Sequence, residues 1–165
     1  GVAGHSFGAF TTTVVAGGTL DVATRRNERL SDPRPLAFVA MSPQAVRDEP
    51  SWEGFRSSSF TSLSRPMLTM TGTKDSFGGT DADRRDDVFR HLPPGNKFHL
   101  LIDGADHMTF AGRGRRSSDK MLRCILETTT AFWNAYVGPS GTTGEFATAS
   151  RRARPCEQPA TLTIK

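Results

Sequence analysis

Gly4-His5-Ser6-Phe7-Gly8 is the stretch that most limits what this chain can fold into. Gly1-Val2-Ala3 precede it, and Ala9-Phe10-Thr11-Thr12-Thr13-Val14-Val15-Ala16 follow. That order predicts a strand end, a sharp turn and a helix start. The serine at the tip of such a turn must hold a strained backbone conformation. Glycines two residues to either side are expected to let strand and helix approach without a Cβ clash. The helix N-terminus then aims free N–H groups and its positive dipole end at whatever lies over the serine. Alone the pattern is weak: Gly and Ser frequencies give a meaningless G-x-S-x-G in roughly one chain in ten of this length. The alternative is a glycine-rich turn with an exposed serine, and the rest of the sequence must decide.

Phe10, Val14 and Val15 are the candidate core contacts of a helix over 7–16, which Gly17-Gly18 stop. Residues 19–35 are polar and charged and end in a turn, Ser31-Asp32-Pro33-Arg34-Pro35. Leu36-Ala37-Phe38-Val39-Ala40-Met41 is apolar without alternation, as in a strand buried on both faces of a parallel sheet. Residues 44–65 show no clear period. Their aromatics Trp52, Phe55 and Phe60 either tuck a surface loop onto the core or wall a substrate pocket. Pro66 to Thr71 reads as a second buried strand, which exits through Gly72-Thr73-Lys74-Asp75 into a flexible Ser76-Phe77-Gly78-Gly79. A helix is expected from about Thr80 or Asp81, burying Val88, Phe89 and Leu92 and ending at Pro93-Pro94-Gly95. Lys97 to Ile102 is the third strand, and it leaves through Asp103-Gly104-Ala105-Asp106-His107-Met108. A last helix over about 118–137 has Ser118 as N-cap and a stripe of Met121, Leu122, Ile125, Leu126, Phe132, Trp133 and Tyr136. Residues 138–165 are rich in Gly, Thr, Ala, Ser, Arg and Pro, a composition that predicts disorder. Strands alternating with helices, with loops at each strand exit, make an α/β fold with a parallel sheet flanked by helices.

The chain of 165 residues carries a net charge of +4. The excess sits in Arg113, Arg115 and Arg116 of one loop and in Arg151, Arg152, Arg154 and Lys165 of the tail, which leaves the body near neutral. No basic face interleaved with aromatics supports a nucleic-acid function. No stretch has the apolar length of a membrane span. Cys124 in the last helix and Cys156 in the tail are expected as two separate thiols. No C-x-x-C, H-E-x-x-H or calcium-type Asp/Glu ladder indicates a metal. The sequence opens inside a strand-turn-helix unit, so residues 1–137 are expected to be the C-terminal portion of a longer catalytic domain.

A serine hydroxyl is a poor nucleophile at neutral pH; it needs a base within hydrogen-bond reach and an acid to orient that base. After a G-x-S-x-G turn the acid and then the histidine follow on loops at later strand ends. Asp75 follows one predicted strand exit and His107 the next. His5 neighbours the serine, while His91 on a helix and His99 in a strand read as packing or surface residues. Asp81 and Asp83 lie in a flexible stretch, and Asp103 and Asp106 flank His107. Asp75 is favoured because it alone sits directly at the earlier strand exit. In these roles Ser6 attacks an acyl carbonyl, His107 takes and returns the proton, and Asp75 holds the imidazole. The Phe7 N–H donates to the developing oxyanion. A second oxyanion donor is expected from a loop after an earlier strand, outside this chain.

Gly-His-Ser-Phe-Gly-Ala, Ala-Met-Ser-Pro-Gln, Pro-Met-Leu-Thr-Met-Thr-Gly-Thr-Lys-Asp and Gly-Ala-Asp-His-Met-Thr-Phe together resemble the serine α/β-hydrolases grouped with dienelactone hydrolases and platelet-activating-factor acetylhydrolase-like esterases. The resemblance covers about residues 1–137 and implies the C-terminal half of an α/β-hydrolase fold. It further implies hydrolysis of a small-molecule or lipid-like carboxylic ester with no metal or organic cofactor. Ser6, Asp75 and His107 match the family's triad positions. Dienelactone hydrolases proper use a cysteine nucleophile, so lactone specificity does not carry over to Ser6. Peptidase or acyltransferase chemistry uses the same triad. A non-catalytic binding module or inactive fragment on the same scaffold is the reading from another class.

Overall fold

The computed structural model describes residues 1–115, 117–139, 146 and 156–165. Five strands form one sheet in the order β1 (Val2–His5), β4 (Phe38–Met41), β5 (Met67–Lys74), β6 (Lys97–Asp106) and β7 (Ala160–Ile164). The first four run parallel and β7 is antiparallel to β6. Helix α1 (Phe7–Ala16), the short α2 (Asp87–His91) and α3 (Asp119–Tyr136) flank the sheet. This is the expected α/β architecture.

The unbroken apolar runs arise because the central strands are covered on both faces. Val39, Leu68, Met70, Phe98, Leu100 and Ile102 point into one core, with Phe132 and Tyr136 of α3. Phe38, Ala40 and Met67 point into the other, with Val14 of α1 and Val88 and Phe89 of α2. Most of the α3 stripe faces the sheet, although Leu126 is exposed. Ser118 caps α3 by accepting the Met121 N–H at 3.3 Å. The Gly17 and Gly18 N–H groups close α1 onto the carbonyls of Val14 and Thr13.

The structure departs from the sequence reading at four places. Residues 19–29 form a hairpin, β2 (Thr19–Val22) with β3 (Arg25–Arg29), where only a polar connection was expected. The helix expected from about residue 80 is broken into a 3-10 turn at Ala82–Arg84 and a short α2. Of the tail expected to be disordered, 140–145 and 147–155 lie outside the described residues, but Ala160–Ile164 pairs with Phe98–Ile102. Ala160, Leu162 and Ile164 pack against the α3 core, while Thr161 and Thr163 are exposed, the period of a half-buried strand. That pairing covers the edge of β6. The two cysteines are also not separate thiols. Cys124 of α3 and Cys156 are disulfide-bonded with Cα atoms 5.1 Å apart, because the return of the chain to β6 brings Cys156 over α3.

Candidate active site

The parallel strands all deliver their C-terminal ends to one side, and the chemistry-bearing loops gather there. Ser6 sits between β1 and α1 with φ 57° and ψ −117°, a strained conformation for a residue with a Cβ. Its N–H is held by the Met41 carbonyl at 2.9 Å. The tightness of the turn comes from Gly4: a Cβ there would lie 2.2 Å from the Gly8 carbonyl oxygen. Gly8 differs from expectation, since a Cβ on it meets nothing within 4 Å. Phe7 and Gly8 occupy the first positions of α1, where backbone N–H groups have no intrahelical acceptor.

His107 lies directly after β6 and Asp75 directly after β5, and both are buried. His107 Nε2 is 2.9 Å from Ser6 Oγ, and His107 Nδ1 is 2.8 Å from Asp75 Oδ1. A carboxylate can only accept, so Nδ1 carries a proton and Nε2 of the neutral ring is left to accept the Ser6 hydroxyl. The second carboxylate oxygen of Asp75 accepts from Thr71 Oγ1 at 2.8 Å. The structure thus brings together Ser6, Asp75 and His107.

The competing groups lie elsewhere or serve the backbone. Asp106 accepts from the N–H and hydroxyl of Thr109 at 2.9 and 2.8 Å, capping the 3-10 turn that opens with His107. Asp103 accepts from Thr73 Oγ1. Asp81 and Asp83 belong to the 3-10 turn before α2. His91 packs on Phe60. His99 is in the core, stacked on Phe89 and bonded through Nδ1 to Thr69 Oγ1 at 2.8 Å. Burial pushes its pKa down to about 4. His5 donates from Nε2 to the His107 carbonyl at 2.8 Å, and burial lowers its pKa as well. It supports the backbone of the histidine loop.

Sequence reasoning missed Thr71, Phe77 and Arg85. Phe77 stacks on the His107 ring, with centroids 4.5 Å apart and planes 10° from parallel, yet is 57% exposed. The stretch read as flexible is a tight turn. Phe77 and Thr80 exchange backbone hydrogen bonds at 3.0 and 3.1 Å across Gly78 and Gly79, both at positive φ. The Gly-Gly pair was the available signal. Arg85 carried none, since one arginine among many in a polar stretch has no distinguishing pattern.

Of the three aromatics proposed for a pocket, two share one. A cleft of about 360 Å³ is lined by Phe7, Phe10, Leu20, Gln44, Trp52 and Phe55, among others. Phe60 is not on its wall; it is fully buried behind Phe55. The Arg56 guanidinium shapes this loop, pairing with Asp21 of the hairpin and with carbonyls of Asp48, Glu49 and Trp52. Clefts of about 440 and 490 Å³ lie along β7 and beside α2, and Phe7 lines neither. Among the described residues no group of three or more His, Cys, Asp or Glu side chains could hold a metal ion, and no helix is long and apolar enough to cross a membrane.

No protein-family model matches the chain, and no curated protein matches it. Solved structures do. The chain is similar to the esterase domain of a Rhodothermus marinus protein, with a TM-score of 0.55 and 17% identity over 82% of this chain and 60% of that one. It is also similar to a provisionally named dienelactone hydrolase from Klebsiella pneumoniae subsp. pneumoniae MGH 78578, with a TM-score of 0.56 and 17% identity over 81% of this chain and 51% of that one. The chain therefore spans between half and three-fifths of the length of these neighbours. At that identity the likeness establishes the fold alone, an α/β fold that the chain shares with these two structures.

Proposed function

We propose that the protein is a serine hydrolase of carboxylic esters, working through Ser6, His107 and Asp75. The observation that carries this reading is the unbroken relay from Ser6 Oγ to His107 Nε2 at 2.9 Å and from Nδ1 to Asp75 at 2.8 Å. Both links are within reach for proton transfer without rearrangement. Ser6 Oγ attacks the ester carbonyl carbon as its proton passes to His107 Nε2. The new imidazolium is stabilised by Asp75, and the oxyanion accepts from the Phe7 N–H. Collapse expels the alcohol, which takes the proton from His107 and leaves an acyl group on Ser6. Water activated by His107 then releases the carboxylic acid and restores the serine.

The cleft that begins at Phe7 is the candidate seat of the substrate's apolar part. Its volume and its aromatic and aliphatic walls suit a small or lipid-like group better than a charged one. The test is hydrolysis of a short-chain p-nitrophenyl ester by the wild-type protein beside Ser6→Ala. Turnover is expected to fall by at least about 10³-fold in the variant. Equal turnover by both proteins would refute the assignment of Ser6.

A further inference from the structure

Among the described residues Arg85 is the largest fully buried side chain, at 2% exposure, and the proposed chemistry does not use it. It enters from the segment between the 3-10 turn and α2 and reaches beneath the strand exits. Its Nε donates to the Asp75 carbonyl at 3.1 Å and lies 3.3 Å from Asp75 Oδ1. One terminal nitrogen donates to the carbonyls of Pro43 and Ser42 at 3.0 and 3.4 Å, and the other to the Phe77 carbonyl at 2.6 Å. One planar fork thus ties the loop after β4 to the loop after β5. The tied residues include the acid that orients His107 and the aromatic that covers it.

The charges matter as much as the ties. Four of the five contacts are to neutral carbonyls, so Asp75 is the formal counter-charge of a guanidinium buried from water. Asp75 Oδ1 is shared, with His107 Nδ1 at 2.8 Å on one side and Arg85 on the other. A carboxylate held by two cationic partners attracts each of them less than it would alone. The other groups facing His107 are His5, whose ring centroid is 4.7 Å away, and the uncharged Ser6 and Phe77. Asp106 is turned to its Thr109 cap.

We propose that Arg85 is a positioning residue of the site: its guanidinium holds Asp75 and Phe77 against His107 from behind, and its charge offsets that of Asp75. This inference rests on the reading of Ser6 as nucleophile and His107 as base. Geometry and charge separate in two variants. Arg85→Lys keeps the charge and loses the fork, so kcat/KM is expected to drop about tenfold or more while the acidic limb of its pH profile stays in place. Arg85→Met loses both. Without the opposing charge Asp75 stabilises the imidazolium more strongly, His107 protonates at higher pH, and the acidic limb moves up by about one pH unit.

An NMR titration of the His107 ring reads the same shift without any turnover, and thermal melts report whether each variant is folded. A merely structural role would lower the melting temperature and leave both titrations where they are. Full activity in a folded Arg85→Lys overturns the clamp, and an unmoved His107 titration in Arg85→Met overturns the charge offset. If Arg85→Met does not fold, Arg85→Gln, which removes the charge but keeps a polar side chain among the carbonyls, replaces it: a limb and a His107 titration moved up support the proposal, and unmoved ones overturn the charge offset. Labelling of wild-type Ser6 by a fluorophosphonate tests the underlying reading separately. A labelled wild type with indifferent Arg85 variants defeats this inference only, whereas an unlabelled folded wild type defeats the reading beneath it.

Discussion

The two glycines of Gly4-His5-Ser6-Phe7-Gly8 look equivalent in the sequence and should behave differently when each is changed to alanine. A Cβ on Gly4 would lie 2.2 Å from the Gly8 carbonyl oxygen, 2.3 Å from its carbon and 2.8 Å from its Cα. All three atoms are backbone of the first turn of α1, so no side chain can swing aside. Ordinary contact begins near 3.4 Å, so α1 must recede from β1 by about 1 Å, with Ser6 carried between them. Overpacking of this kind costs about 1–3 kcal/mol, or a melting temperature lower by roughly 5 °C in a chain of this size. A displacement of about 1 Å at the reacting group costs about 10²-fold in rate. Gly8→Ala meets no atom within 4 Å and Gly8 does not have positive φ, so the variant should be neutral or stabilised by up to about 1 kcal/mol. The assay is the rate of fluorophosphonate inactivation together with a thermal melt for each variant. A Gly4→Ala protein with wild-type rate and melting temperature, or a Gly8→Ala protein equally damaged, refutes the reasoning.

Two further perturbations test the packing around the site. His99 is neutral in the core with a pKa of about 4 against 6.5 in the unfolded chain, so its burial is without penalty above pH 6.5. As pH falls from 6.5 to 4 the unfolded chain gains the proton first, and stability is lost by about 3 kcal/mol. Denaturant midpoints across that range should fall more steeply for wild type than for His99→Asn, and coincident slopes would show that another group controls the transition. The Cys124–Cys156 bond closes a loop with a sequence separation of 32, which corresponds to about 3–4 kcal/mol of chain entropy. Reduction, or Cys156→Ser, should lower the melting temperature by about 10 °C, and a melt indifferent to reductant would mean that the tail is not held on α3 by this bond.

Long-range order was legible where pattern and position agreed. Asp75 and His107 could be chosen because each follows a strand whose apolar run was unambiguous, and Ser6 because it sits at the tip of the G-x-S-x-G turn; strand exits in a parallel sheet converge in space. Elements that depend on what lies opposite them were not legible. Ala160-Thr161-Leu162-Thr163-Ile164 alternates as a strand should, but its few residues sit in a Gly/Ser/Arg-rich context, and only the free edge of β6 makes the pattern count. The partner of Cys124 is set by that same return of the chain. Strand β3 is mostly exposed and charged and β2 is only four residues long, so hydrophobic periodicity could not reveal the hairpin. Arg85 was invisible for the opposite reason: burial of a guanidinium is decided by the carbonyls around it, which no local pattern announces. The cleft was half legible, since Trp52 and Phe55 line it while Phe60 belongs to the core behind it.

The central claim is that Ser6 is an activated nucleophile. Its most direct measurement is mass spectrometry of the folded protein after exposure to a fluorophosphonate, with peptide mapping of the adduct. A single adduct on the peptide carrying Ser6 is expected, lost in Ser6→Ala and greatly slowed in His107→Gln. A folded protein that takes no label, or takes it on another serine at the same rate in all three forms, would contradict the account.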